Sequence, residues 1–291
     1  MLLKISNLSK LYSDGTKALT DVNLEISNGM FGLLGPNGAG KSSLMRTIAT
    51  LQEPSSGTIH LDELDVINQK DEMRKVLGYL PQDFGFYPKV SAEDMLHHFA
   101  ILKGISNKKE RKEVCDALLN QTNLYEVKHR YIGDYSGGMR QRFGIAQALL
   151  GNPKVVIVDE PTAGLDPQER NRFHNLLSEV GENIVVILST HIVEDVRNLC
   201  NNMAVMNLGQ VLFKGKTSEA LDLLRGKIFS ATIAKEELND YRQQHKVIST
   251  KVSEGKIIVH VMHDSLPDNK FTPVEADLED VYFSYINVPK N

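Results

Sequence analysis

Phe31-Gly32-Leu33-Leu34-Gly35-Pro36-Asn37-Gly38-Ala39-Gly40-Lys41-Ser42-Ser43 is the stretch that decides the fold. An apolar run enters Gly-x-x-x-x-Gly-Lys-Ser, and Ser43–Thr50 continues with helical spacing, so the segment predicts a strand, a loop and a helix in that order. Glycines let backbone N–H groups turn inward around phosphate oxygens, and a helix start adds about half a positive charge at the same point. In that geometry Lys41 reaches the β- and γ-phosphates and the Ser42 hydroxyl is a ligand for Mg²⁺. Asn37, Gly38, Ala39, Gly40 and Ser43 form the rest of the cradle. The site is one for a nucleoside triphosphate.

A second apolar run, Val155-Val156-Ile157-Val158, ends in Asp159-Glu160. The C-terminal ends of strands are where open α/β sheets bind ligands. Consecutive residues leave a strand end on opposite sides, so the two acids can do different work. Asp159 is placed to hold Mg²⁺ through water, and Glu160 to act as general base on the attacking water. Tyr135-Ser136-Gly137-Gly138-Met139-Arg140-Gln141-Arg142 opens another helix, predicted over Met139–Leu150, with a serine and two glycines. This is either an ordinary N-cap or a second anion site. Because the first loop already wraps one triphosphate, a second site is most simply used on the nucleotide of a neighbouring copy.

Around these motifs, β-like runs at Leu2–Ile5, Met30–Leu34, Thr58–Leu61, Val155–Val158, Ile184–Ser189 and Ala204–Asn207 alternate with helical spacing. Several are continuous apolar strings, as strands buried on both faces of a parallel sheet require. From about 83 to 150 the pattern turns helical, with Ala92–Leu102 and Lys108–Gln121 the clearest stretches. After Lys216 it changes again, to alternating runs at Ile228–Ile233, Val247–Val252 and Lys256–Met262 and a helical Glu275–Ile286. The expected architecture is an α/β P-loop fold over 1–217, with a mostly parallel sheet, an antiparallel β edge and an inserted helical subdomain. A small α+β appendix occupies 218–291, with Ile228, Ile257, Val259, Val281 and Phe283 as a small core packed against the cassette or a second copy.

Composition narrows the class. The 291 residues carry a net charge of −4, which argues against a nucleic-acid partner, and 41% hydrophobic content supports a real core. No apolar run approaches the roughly 20 residues of a membrane-spanning helix. The first residues lack the features of a secretory signal, so a cytoplasmic location is expected. Cys115 and Cys200 have no metal-ligand spacing and read as reduced structural thiols. His97 and His98 are adjacent, about 100° apart on a helix, and read as a solvated face.

With these motifs in hand, Leu2 to Lys216 resembles the ATPase subunit of ATP-binding cassette (ABC) transporters. Tyr135-Ser-Gly-Gly-Met is similar to the signature variant of bacterial drug, antibiotic and polysaccharide exporters. The resemblance implies further roles. Tyr12 resembles the aromatic that stacks on adenine. Gln82 is similar to the glutamine that reaches Mg²⁺ and the attacking water. Asp166, in Ala163-Gly-Leu-Asp, resembles the loop by which two copies sense each other, with a helix cap as the simpler reading. His191 looks like the histidine that contacts the γ-phosphate. Implied partners are a second cassette, identical or paired, sandwiching ATP head to tail, and an integral membrane permease. The permease would dock on Asp83–Val90 through exposed Phe84, Phe86 and Tyr87, with packing into the loop or core as the alternative. Arg140 and Arg142 are expected on the helix surface. The competing reading, a soluble cassette ATPase driving assembly or DNA and RNA processes, would need a long coiled coil or a second cassette, and neither pattern is present.

Overall fold

The computed structural model describes residues 1–82 and 84–287; Asp83, with which the expected docking segment begins, and residues 288–291 of the expected appendix lie outside the described residues. The chain opens with β1 (Leu2–Leu11), β2 (Lys17–Ser27), β3 (Gly29–Leu34) and α1 (Lys41–Ile48). Then follow β4 (Ser56–Leu61), β5 (Leu64–Asp65), α2 (Lys70–Val76) and β6 (Leu77–Leu80). A helical stretch holds α3 (Ala92–Leu102), α4 (Lys108–Gln121) and α5 (Gly137–Ala148). The chain re-enters the sheet with β7 (Val155–Asp159), α6 (Pro167–Val180), β8 (Val185–Thr190), α7 (Val193–Leu199), β9 (Asn202–Asn207) and β10 (Gln210–Lys216). It ends in α8 (Thr217–Leu224), β11 (Ile228–Ile233), α9 (Leu238–Gln244), β12 (Val247–Ser253), β13 (Lys256–Met262), β14 (Thr272–Pro273) and α10 (Leu278–Ile286).

The six-stranded sheet runs β10-β9-β3-β8-β7-β6, parallel except for the β10 edge. Every residue of β7 and β8 is buried, which is why both read as unbroken apolar strings. Their alternate residues feed two cores. Val155, Ile157, Val185 and Ile187 face one, with α1 and the antiparallel sheet β2-β1-β4-β5. Val156, Val158, Val186 and Leu188 face the other, with Phe173 of α6 and Val196 of α7. Strand β2 escapes the sequence pattern because its register against β1 shifts between Leu19 and Val22, breaking the alternation.

The helices between β6 and β7 enclose their own core around Met95, Leu96, Cys115, Leu119 and Phe143. Burial pushes the Cys115 thiol up to about 11, so it stays protonated. The signature helix begins two residues earlier than expected, at Gly137, because the Ser136 hydroxyl accepts from Met139 N at 3.2 Å and caps it. Two expected surface groups are buried or half-buried instead. Arg142 is 7% exposed, donates to the carbonyls of Thr122 and Asn123 at 3.0 Å and approaches Glu169 at 3.3 Å. Phe84 and Phe86 are half-buried, with Phe86 edge-on to Phe143 at 4.8 Å, and of the three aromatics only Tyr87 is exposed. Neighbouring rings of the helical core offered them a better environment than water.

The C-terminal sheet, β12-β13-β11-β14, is antiparallel. Ile257 and Val259 pack beneath it with Phe229, Tyr241 and Phe271. Ile228 and Val281 do not join that small core. Together with Leu224, Leu278 and Tyr282 they enter the core on the α6–α7 side of the large sheet, and Phe283 packs against it.

Candidate functional site

The loop after β3 packs tightly against the β2 backbone. Gly40 has φ +100°, and a Cβ there would lie 2.5 Å from the carbonyl of Ala18. Lys41 is 5% exposed and donates Nζ–H to the carbonyls of Gly35 (2.6 Å) and Pro36 (3.2 Å). Burial draws its ammonium below the ordinary lysine range, while Glu160 and Asp159 resist. A cleft of about 450 Å³ opens here, lined by Tyr12, Asn37, Gly38, Ala39, Gly40, Lys41, Ser42, Ser43, Gln82 and Glu160. The Tyr12 hydroxyl lies 3.0 Å from Ser43 Oγ and donates to Gln52 Oε1 at 3.0 Å, which ties the ring to the start of α1.

Glu160 follows β7 with φ +48°, a left-handed backbone that a non-glycine residue adopts only when its surroundings hold it there. Its N–H donates to Ser189 O at 2.8 Å, anchoring the turn to β8. The carboxylate then meets one amide donor and two further nitrogens, from three segments. Gln82 Nε2 donates to Oε2 at 3.2 Å, His191 Nδ1 lies 3.1 Å from Oε1, and Lys41 Nζ lies 3.8 Å from Oε1. Segments 41, 82, 160 and 191, far apart in sequence, thus converge on one carboxylate.

Asp159 is 4% exposed, and among the described residues its Oδ1 has no hydrogen-bond partner. Burial pushes its carboxyl up, and the hydroxyls of Ser189 and Ser42 pull the other way. A buried carboxylate oxygen left unpaired beside a serine hydroxyl suits a hard cation, which prefers oxygen donors and keeps several waters. The residues present therefore fit Mg²⁺.

The remaining expected residues sit elsewhere. Ser136, Gly137, Gly138 and Asp166 do not line the cleft around Lys41. Gly137 borders a separate depression of about 380 Å³ with Gln82, Phe84 and Arg140. Asp166 caps α6, accepting from Glu169 N at 2.9 Å, as the simpler reading had it. Sequence reasoning missed Ser189 and Gln52. Neither belongs to a motif, and only the pairing of β8 beside β7 and the turn after α1 bring them in.

A sequence profile described as "ABC transporter" matches residues 19–163. The chain is 31% identical over 302 residues to the uncharacterized ABC transporter ATP-binding protein YxlF of Bacillus subtilis, covering 98% of this chain and 100% of that one. It is 35% identical over 223 residues to the Nod factor export ATP-binding protein I of Cupriavidus metallidurans, covering 76% and 73%. It is 34% identical over 230 residues to the methionine import ATP-binding protein MetN of Histophilus somni, covering 75% and 66%. Among solved structures, the dimeric bacterial ABC transporter cassette MJ0796 superposes with a TM-score of 0.66 at 28% identity, over 74% of this chain and 98% of that one. The same cassette has been solved in a post-hydrolysis state with ADP and Pi. End-to-end similarity to an ATP-binding protein, on a fold shared with a cassette that holds hydrolysis products, leads to one conclusion: the chain belongs to the ABC transporter family and is one of its ATPases.

Proposed function

We propose that this chain is the ATPase subunit of an exporter, working as a head-to-tail dimer beneath a separate integral membrane permease. The observation that carries the catalytic part is the convergence of Lys41, Gln82 and His191 on Glu160. Glu160 takes a proton from water as the water oxygen bonds to the γ-phosphorus and the bond to the ADP oxygen breaks. His191 and Gln82 orient that carboxylate, and Lys41 leaves its loop carbonyls to meet the phosphates. Tyr12 stacks on the adenine, while the amides of Asn37 to Ser43 hold the phosphates. Ser42, Asp159 and Gln82 would hold Mg²⁺, which neutralises phosphate charge when bound.

Dimer formation is supported by the separation of Ser136, Gly137 and Gly138 from the cleft of their own chain: a capped helix start of this kind suits the nucleotide of a partner, with Asp166 beside it. Among the described residues no helix is long and apolar enough to cross a membrane, which suits a subunit that sits at the cytoplasmic face on a permease. Export is favoured by the Tyr135–Met139 variant, although an importer subunit is also among the relatives. Residues 1–217 are the cassette proper and 218–291 an appendix, whose α8 and α10 brace the cassette.

Glu160→Gln keeps size and hydrogen bonding but cannot take the proton, so turnover should fall by on the order of 10²–10⁴ with ATP binding retained. The mutant should accumulate as an ATP-dependent dimer on a sizing column. Near-normal hydrolysis would remove Glu160 from the base role. Mixed dimers of Lys41→Ala and Ser136→Arg chains should regain one working site; activity in isolated Ser136→Arg monomers would rule out sharing.

A further inference from the structure

Asp195 lies on α7, four residues beyond His191, with its side chain fully buried. Its two oxygens serve different neighbours. Oδ2 accepts from Thr162 Oγ1 at 2.5 Å and from Thr190 Oγ1 at 3.4 Å. Oδ1 faces α6, 2.9 Å from His174 Nε2 and 3.9 Å from Arg170 Nε. Thr162 stands two residues after Glu160 and Thr190 one residue before His191. One carboxylate oxygen therefore bonds both loops that bring reactive groups to the γ-phosphate position, and the other is fastened to a helix that carries neither. Thr190 Oγ1 also accepts from Ile192 N at 2.9 Å, so the same hydroxyl fixes the backbone on the far side of His191.

We propose that Asp195 is a positioning residue for ATP hydrolysis, holding the Glu160 loop and the His191 loop in a single register. The proposal rests on the reading of Glu160 and His191 as the groups that act on water and γ-phosphate. A buried carboxylate is a poor choice for stability alone, since an apolar side chain of similar volume often does as well. What it supplies is directional bonding to two hydroxyls at once. The strained backbone of Glu160 needs such an external hold, and the hydroxyl of Thr162 is the nearest side-chain tether after Pro161. A displacement of about 1 Å in a reacting group can lower turnover by about 100-fold.

The full-length chain is the reagent, with steady-state hydrolysis and equilibrium binding of a fluorescent ATP analogue measured side by side. Asp195→Asn should lower kcat by about 10- to 100-fold while analogue affinity and KM stay within about twofold, because the phosphate loop is untouched. Should Asp195→Asn fail to fold, Thr162→Val and Thr190→Val remove one hydroxyl each at constant volume. Each should lower kcat, and Thr162→Ser and Thr190→Ser, which restore the hydroxyl, should recover it. In a Glu160→Gln background, Thr162→Val should add no further loss. Valine and serine variants behaving alike, or kcat and affinity falling together, would overturn the proposal. Normal turnover in Glu160→Gln alone would instead remove the base assignment, and Asp195 would then stand or fall on Thr190→Val against Thr190→Ser, on the His191 side.

Discussion

At the scale of single residues, the site is built by close approach. Gly40→Ala places a Cβ 2.5 Å from the Ala18 carbonyl at a φ of +100°, where an L side chain is strained regardless of space. The loop and the edge of β2 must move apart, so we expect ATP affinity to fall at least about tenfold, as measured by titration with a fluorescent analogue, because the loop's amides shift off the phosphates. Gly138→Ala is the instructive contrast. Its added Cβ meets Glu169 at Oε2 (2.5 Å) and at Cγ (2.8 Å), atoms of a rotatable side chain and not of backbone, and φ is ordinary. The whole Glu169 side chain must rotate away from Arg142, so stability should fall only modestly, by about 1 kcal/mol, read as a small drop in thermal midpoint. A drop beyond that would mean that the pair of Glu169 with Arg142 holds α5 to α6. The phosphate-loop residues were legible because their pattern is contiguous; Ser189, Thr162 and Asp195 were not, since their roles come from neighbours remote in sequence.

At the scale of elements, helix starts do much of the positioning. Asp166→Ala removes the cap of α6 and should cost about 1 kcal/mol, read by urea denaturation. If Asp166 also meets a partner copy, the ATP-dependent dimer of Glu160→Gln should weaken in the double mutant by more than that loss accounts for. A second element-scale device joins β13 to α10. His260 Nδ1 lies 2.7 Å from Asp280 Oδ1, and that hydrogen bond holds the imidazole above its ordinary 6.5 against the effect of burial. A raised folded-state value means that the stabilisation is fully present below about pH 6.5 and is lost as pH rises through the raised value. Wild type should therefore lose melting temperature relative to His260→Gln on going from pH 6 to 9. Parallel curves for the two proteins would show that the pair contributes no pH-dependent hold. The existence of β7, β8 and α5 was readable from apolar runs and turn residues. β10, whose residues are mostly half-exposed, and the shifted β2 gave no such pattern.

For the whole molecule, the C-terminal segment shares its core with the cassette, one of the two packings its sequence allowed. Ala220, Leu224, Leu278, Val281 and Tyr282 share a core with Val158, Val196, Met203 and Val205 of the cassette. A chain cut near Thr217 would expose that face, so it should melt at lower temperature and aggregate, measured by scanning fluorimetry and light scattering. ATP affinity in its soluble fraction should persist, because Tyr12, Lys41 and Asp159 lie outside the removed segment. Loss of affinity in a folded truncation would mean that the appendix shapes the nucleotide site. By itself the sequence determined the phosphate loop, the acid pair, the capped signature helix and the parallel character of the sheet's centre. Each of these is written in adjacent residues, where backbone geometry and period follow from local chemistry. Only the tertiary structure decided that Glu160 meets Gln82 and His191, that Phe86 and Arg142 turn inward, and that Asp195 ties two loops together. Those outcomes depend on which strand lies beside which and on burial that no short window of sequence encodes. Pairing across the sheet, and the cost of leaving polar groups unpartnered inside it, selected them.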